Sequence, residues 1–293
     1  MPPFLAADNA SAAPLPPALE TVHVQVFSGG ARTQRQDSVA AETPVALVFN
    51  GISHAVMMAT PQDLEDFALG FALSEGIVDS VADCRAIDLR AAPACAGMEG
   101  EDEAPAIEVH LEIASRCFAR LKERRRSLAG RTGCGLCGID SLAALDLVPE
   151  RAAPRPWLAQ VDQAAVLRAM AALPAKQILN AQAGAIHAAG WAAPDGTLFD
   201  VLEDVGRHNA LDKLLGRLAR EGRLGQPGFV VMSSRASYEL VRKCARLGVA
   251  ALAAISAPTG LAVRIAEQAG MRLWGLCRDP RAVLYVAGSV AVC

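Results

Sequence analysis

The chain has 293 residues, of which 52% are hydrophobic and 20% charged, enough apolar material for a buried core and too much for a wholly disordered polymer. A formal net charge of −3 gives no global attraction to nucleic acid or to an anionic membrane, so any polyanion site has to be a local patch. The longest apolar runs, such as Val249 to Ile255, fall well short of the roughly 18 residues a membrane helix needs, and the length points to two medium domains.

Residues Met1 to Glu20 contain no Lys or Arg and are broken by Pro2, Pro3, Pro14, Pro16 and Pro17. That composition matches neither a secretory signal nor a transit peptide and predicts a disordered tail on a cytoplasmic protein. Thr21 to Phe27 and Val45 to Val56 read as β-type runs, the second broken by the hairpin dipeptide Asn50-Gly51. A helix is expected after Pro61, with Asp63, Glu65 and Asp66 opposing the macrodipole in its first turn and its end near Ser74. Ala91 to Ala106 is an acidic, Gly/Pro/Ala-rich insertion carrying Cys95 in a surface loop; Ile107 to Ile113 alternates like a strand, and Arg116 to Arg126 reads as a helix. The Pro- and Ala-rich stretch from Pro149 to Pro156 is a linker. The expected organisation is therefore a tail over 1–20, an N-terminal α+β domain over 21–150 and a second domain over 157–293.

The second domain alternates strand and helix: strand Thr197 to Val201, helix Arg207 to Arg220, strand Gly228 to Met232, helix Tyr238 to Leu247, strand Ala250 to Ile255, helix Gly260 to Ala269 and strand Met271 to Cys277. Such alternation predicts βαβ units and a mostly parallel sheet, with ligands gathering where strands end and helices begin.

The segment Gly133 to Gly138 reads G-C-G-L-C-G behind a basic stretch of Arg120, Lys122, Arg124, Arg125, Arg126 and Arg131. A glycine beside each cysteine and one between them make a poor element interior and a good mobile tip for sulfur. A structural zinc site would need two further Cys or His at suitable spacing, and no second C-x-x-C or H-x-x-x-H occurs in the chain. A thioredoxin-like redox pair is the next rival, although no βαβ context precedes the motif. The basic stretch is either a solvated helix face or a field that favours thiolate. With a thiolate, Cys134 could take up sulfane sulfur as a persulfide and Cys137 could attack it. The other six cysteines, at Cys84, Cys95, Cys117, Cys244, Cys277 and Cys293, are scattered singly, which fits a reducing compartment better than a disulfide framework.

Five further constellations lie in the second domain, three of them at strand-to-helix junctions. Glu203 to Asn209, with Asp204, Arg207 and His208, opens a helix whose buried face is Ala210, Leu211, Leu214, Leu215 and Leu218; helix openings of this kind suit phosphate, and the plainer alternative is a capped helix with surface charges. His187 sits among small apolar residues, where a lone histidine is more often a satisfied core residue. The zinc-deaminase signature needs Glu two residues after its His, and that place holds Ala189, so deaminase chemistry is disfavoured. Ser233 to Ser237, containing Arg235, and Ser256 to Thr259 both follow strands; each is either an ordinary N-cap or part of a phosphate groove. Leu276 to Arg281, that is Leu276, Cys277, Arg278, Asp279, Pro280 and Arg281, adds a cationic rim.

Taken together, "FNGISHAVMMATPQDLEDFALGFALSEGIV", "RTGCGLCG", "FDVLEDVGRHNALDKLLG", "SSRASYELVRKCARLGVAALAAISAPTGLAV" and "GLCRDPRAVLYVAG" resemble the formate dehydrogenase accessory sulfurtransferase family, FdhD, in unbroken order from about Val22 to Gly288. The resemblance implies a cytoplasmic, homodimeric sulfurtransferase with a cytidine-deaminase-like α/β/α second domain. It would take sulfur from a cysteine desulfurase as a persulfide on Cys134, helped by Cys137, and deliver it to the molybdenum or tungsten bis-guanine-dinucleotide cofactor of formate dehydrogenase, of which GDP is a fragment. It further implies cofactor contacts along Leu276 to Arg281, with no nucleic acid, membrane or structural metal involved. Ser234 stands where the family reads Gly, and "QAGAIHAAG" replaces a two-glycine turn. The alternatives are a cofactor chaperone that inserts a finished cofactor without moving sulfur, and a general C-x-x-C thiol oxidoreductase.

Overall fold

The computed structural model describes residues 15–92, 106–127, 149 and 154–289. The expectations for the tail up to residue 14, for most of the acidic insertion and for Cys95, Cys134 and Cys137 fall outside the described residues. Among the described residues no helix is long and apolar enough to cross a membrane.

The chain begins earlier than its proline content predicts, with strand β1 (Leu19–Ser28) pairing antiparallel to β2 (Ala31–Ala40). The ribbon turns at Gly29-Gly30, both at positive φ, the conformation a two-residue hairpin turn requires. β3 (Thr43–Phe49) and β4 (Ile52–Ala59) form the hairpin expected at Asn50-Gly51, with φ of 46° and 79° at the two turn residues. The Asn50 side chain is anchored by accepting from the Ile113 amide at 2.7 Å and donating to the Ile113 carbonyl at 3.1 Å. Helix α1 (Leu64–Ser74), β5 (Cys84–Ala92), β6 (Ala106–Ile113) and α2 (Ser115–Ser127) complete this half. Its sheet has the order β4-β3-β6-β5, and Val45, Leu47, Phe49, Val109 and Leu111 bury one face beneath Phe67 and Phe71 of α1.

The second half opens with α3 (Gln163–Lys176), whose first turn is capped by Asp162 accepting from the Ala165 amide at 2.9 Å. Then follow α4 (Asn180–Ala183), β7 (His187–Ala192), β8 (Leu198–Asp204), α5 (Arg207–Arg220), β9 (Phe229–Met232), α6 (Tyr238–Arg246), β10 (Ala251–Ala254), α7 (Gly260–Ala269), β11 (Arg272–Arg278) and β12 (Arg281–Ala287). They form one six-stranded sheet in the order β12-β11-β10-β9-β7-β8. Val230, Met232, Leu252 and Ala254 pack on one face under α5, α6 and α7, while Phe229, Val231, Ala251 and Ala253 pack on the other under α3. This strand-by-strand alternation is what a sheet covered on both faces demands, and the architecture is an α/β/α sandwich.

The sheet is mixed rather than mostly parallel. Only β9-β10 and β10-β11 run parallel, whereas β7-β8, β7-β9 and β11-β12 are antiparallel. The cause is connection length, because β8 follows β7 and β12 follows β11 through loops too short for a crossover helix.

The halves meet along α1 and α5, which cross with Gly70 facing Gly216. A Cβ on Gly70 would collide with the Asp212 carbonyl and one on Gly216 with the Asp66 carbonyl, so the two backbones touch directly. Buried charge flanks the crossing. Asp66 pairs with Arg217 and with Arg220, and Lys243 lies 2.7 Å from Asp212 and 2.9 Å from Glu75.

Candidate functional site

Strand directions bring the predicted residues to one edge of the second sheet. β9, β10 and β11 run parallel and end there, followed by Ser233, Ile255 and the turn after Arg278. β7 runs the other way, so its first residue, His187, lies at the same edge, and its partner Asp204 ends β8 there. The edge thus carries, in spatial order, Arg278 and Arg281, Ser256, Ser233 to Arg235, His187, and Arg207 with His208. Three strand spacings of about 4.8 Å separate β11 from β7, roughly 14 Å in all, a span that suits a nucleotide-sized ligand at the carboxyl ends of the strands.

At one end of this edge, Ile255, Ser256, Leu276, Arg278 and Arg281 line a cavity of 240 Å³. A register shift between Gly275 and Arg278 bulges β11 outward, and Leu276 takes the left-handed φ of 53°, unusual for a side chain of its kind. The bulge is held by the Leu276 amide donating to the Ser256 carbonyl at 3.2 Å. Gly275 is obligatory beside it, since a Cβ would lie 2.7 Å from the Pro258 ring. Arg278 and Arg281 face each other across the Asp279-Pro280 turn, and the turn is tethered to α3 by Gln163 donating to the Pro280 carbonyl at 3.1 Å. Both arginines are exposed, and neither forms an ion pair among the described residues.

At the other end, the Glu203 to Asn209 cluster separates into a frame and two presented side chains. The Glu203 carboxylate accepts the amides of Leu179 and Asn180, each at 2.9 Å, and fixes the turn that leads into His187. The Asp204 carboxylate is fully buried: one oxygen accepts from the Gly206 amide at 2.8 Å and from Asn209 at 2.9 Å, the other accepts the Thr60 amide at 3.0 Å and lies 2.7 Å from the Lys213 ammonium. Asn209 also donates to the Met58 carbonyl at 2.8 Å. What remains for a ligand is Arg207 and His208. His208 Nε2 sits 2.7 Å from Glu239 of α6, and this hydrogen bond, acting against burial, holds the Glu239 carboxyl below its usual range. His187, half-buried, is pushed down by burial and then by the neighbouring charges of Arg207 and His208, which disfavours its charged form.

Several sequence expectations are corrected here. Asp204 and Asn209 are structural, since every polar contact they make is to the protein and neither is accessible. Cys277 turns its side chain into the core beneath the edge, 1% exposed. The Thr259 hydroxyl caps α7 by accepting from the Ala262 amide at 3.3 Å. Ser237 holds the N-cap position of α6, is buried, and reaches Glu239 at 3.4 Å. Arg235 is exposed directly behind β9, and Asp279 and Pro280 are exposed at the turn. Sequence reasoning missed Glu239, Thr60 and Lys213; the i to i+4 offset between Asn209 and Lys213 on α5 was the one local signal that the helix carries two buried polar anchors on one side.

The described cysteines, Cys84, Cys117, Cys244 and Cys277, are all free and buried. Burial pushes Cys84 and Cys277 up to about 12 and Cys244 higher still, which suppresses the thiolate. Asp79, Asp83 and Cys117 also approach one another, but Arg120 and Arg116 already neutralise the two carboxylates.

The fold is an α/β/α half, with exposed arginines along one end of its sheet, joined to a smaller α+β half. The chain belongs to the FdhD/NarQ family, whose model matches residues 40–290. It is 58% identical over 251 residues to the sulfur carrier protein FdhD of Chromobacterium violaceum, covering 86% of this chain and 89% of that one. It is 51% identical over 257 residues to the sulfur carrier protein FdhD of Burkholderia mallei, covering 88% and 91%. In fold it is similar to a protein from Desulfotalea psychrophila whose crystal structure carries the name "putative formate dehydrogenase accessory protein", with a TM-score of 0.65, 22% identity, and coverage of 92% and 97%.

Proposed function

We propose that this protein is a cytoplasmic, homodimeric sulfur carrier serving formate dehydrogenase. It accepts sulfane sulfur from a cysteine desulfurase on Cys134 and presents it to a molybdenum or tungsten bis-guanine-dinucleotide cofactor bound as substrate along the edge of the second sheet. The reading is supported first by relatives at 51% to 58% identity that are named sulfur carrier proteins.

The observation that carries it on the molecule itself is the cavity bounded by Ser256, Leu276, Arg278 and Arg281. Two guanidinium groups without carboxylate partners among the described residues stand at its mouth, and guanidinium forks match diphosphate oxygens bidentately. Arg207, His208 and Arg235 extend the same polarity along the edge, which suits a ligand longer than one nucleotide. Sulfur chemistry is favoured at the C-x-x-C pair for a complementary reason: the described thiols are buried and three of them are driven toward the protonated form, so they make poor nucleophiles.

Transfer balances simply. The Cys134 thiolate attacks the sulfane sulfur of the desulfurase persulfide and the donor cysteine leaves as thiolate; the Cys137 thiolate then attacks the Cys134 sulfur, hydrosulfide leaves to the cofactor, and the resulting Cys134–Cys137 disulfide is reduced back to two thiols by a cellular dithiol. The test is mass spectrometry of the protein after incubation with a desulfurase and cysteine. A gain of one sulfur on Cys134, absent from Cys134→Ala, supports the carrier role. Undiminished loading of Cys134→Ala refutes it.

A further inference from the structure

We infer that Thr60, in the smaller half of the molecule, is a positioning residue for the ligand edge of the larger half, acting through the Asp204 to His208 turn; this rests on the ligand edge assigned above. Thr60 lies between β4 and α1 and is completely buried. Each of its three polar groups contacts the other half, the carbonyl also accepting the Gln62 amide at 2.8 Å. The amide donates to the Asp204 carboxylate at 3.0 Å, the hydroxyl accepts from the Val205 amide at 3.1 Å, and the carbonyl accepts from the Lys213 ammonium at 3.0 Å.

The residues so gripped are the ones that shape the start of α5. Asp204 closes onto the Gly206 amide and Asn209, and Asn209 reaches back to the Met58 carbonyl. Lys213 adds the Glu203 carbonyl at 3.2 Å. Arg207 and His208 project from the helix turn immediately after this knot. Val205, Gly206, Arg207 and His208 are only partly buried, and the contacts from Met58 and Thr60 tie down the turn that leads to them. A buried amide deprived of its acceptor is expensive, so the Val205 amide would leave its present path if the hydroxyl were lost. The edge of one half is therefore completed by the backbone of the other.

The test compares Thr60→Val, which keeps shape and both backbone contacts but deletes the hydroxyl, with Thr60→Ser, which restores it. Hydrogen exchange of a peptide spanning residues 203–210 is expected to speed up by about tenfold in Thr60→Val, the equivalent of one hydrogen bond, and to stay within about twofold of wild type in Thr60→Ser. Exchange of the β9 strand, in the core of the same half, should be unchanged in both. The affinity for GDP, used as probe, is expected to fall by a similar factor in Thr60→Val and recover in Thr60→Ser. Wild-type exchange at 203–210 in Thr60→Val overturns the inference, as does a GDP affinity unchanged by that variant. Failure of the wild-type protein to bind GDP while the exchange change persists would instead remove the ligand assignment and leave the positioning intact.

Discussion

Lys213 and Asp204 form an ion pair of 2.7 Å with both side chains fully buried, and the pair sits where the two halves of the molecule meet. Lys213 spends its other donors on the Thr60 and Glu203 carbonyls. A buried ion pair is weak as a source of stability, yet breaking one partner is costly because the other is left charged and dry. Lys213→Met should therefore destabilise the fold by about 3–5 kcal/mol, read as a lower denaturant midpoint at unchanged slope. A midpoint within error of wild type would mean that water reaches Asp204.

The glycine crossing predicts a second, sterically driven loss. Alanine normally improves a helix over glycine by about 1 kcal/mol. At Gly216, however, the added methyl would have to occupy the space of the Asp66 carbonyl, and forced overpacking costs about 1–3 kcal/mol or more. Gly216→Ala and Gly70→Ala should both come out destabilised in thermal unfolding. A rise in melting temperature for either would show that the helices can slide apart freely.

Acid sensitivity has an identifiable contributor. Glu75 is partly buried, which alone would raise its carboxyl, but Lys243 and Arg242 outweigh this and hold it at about 2, against an ordinary value of 4.5. A carboxyl depressed on folding stabilises fully above its unfolded value and loses that contribution as pH falls through its folded value. The difference in unfolding free energy between wild type and Glu75→Gln should therefore be largest above about pH 4.5 and shrink toward pH 2. A pH-independent difference would exclude Glu75 as a source of acid lability.

Arg278→Ala and Arg281→Ala should each weaken GDP binding by about three- to tenfold, a discounted value for charge-assisted contacts at an exposed mouth. The loss should be smaller at high salt. Because both side chains are exposed, the melting temperature of the free protein should not move. Calorimetric titration decides the first point, and unaltered affinity in the double variant would place the nucleotide elsewhere.

Thiol labelling gives a fifth check. Cys84, Cys117, Cys244 and Cys277 are buried, so brief alkylation of the folded protein should spare them and denaturant should release all four. Rapid modification of Cys244 in native buffer would show that the α6 packing opens far more readily than its complete burial allows.

Much of this molecule can be read from local patterning. Asn50-Gly51 announces its hairpin because the turn needs residues that tolerate positive φ, and the leucines of α5 declare their buried face by spacing alone. The Ala- and Gly-rich β7 escapes, since HAAGWA carries little β propensity and is a strand only because both faces are covered by helices. α3 is obscured by Pro174 near its end. At the end of the second sheet, residue types singled out strand ends that the fold brings together, and Asp204, Asn209 and Thr259 there contact the protein itself. Type and sequence position do not distinguish a carboxylate that meets a ligand from one that meets Thr60, 144 residues away; only long-range pairing does.

The crossing of α1 over α5 carries one consequence for anyone cutting this protein into pieces. A fragment beginning at the linker would leave a naked strip of peptide backbone along α5, with Lys213 and the Asp204 carboxylate opened to solvent on the side that Thr60 now covers. Such a piece would be sticky and poorly shaped at the very rim meant to hold nucleotide. The two halves are expected to melt as one body, and work on either needs the whole chain.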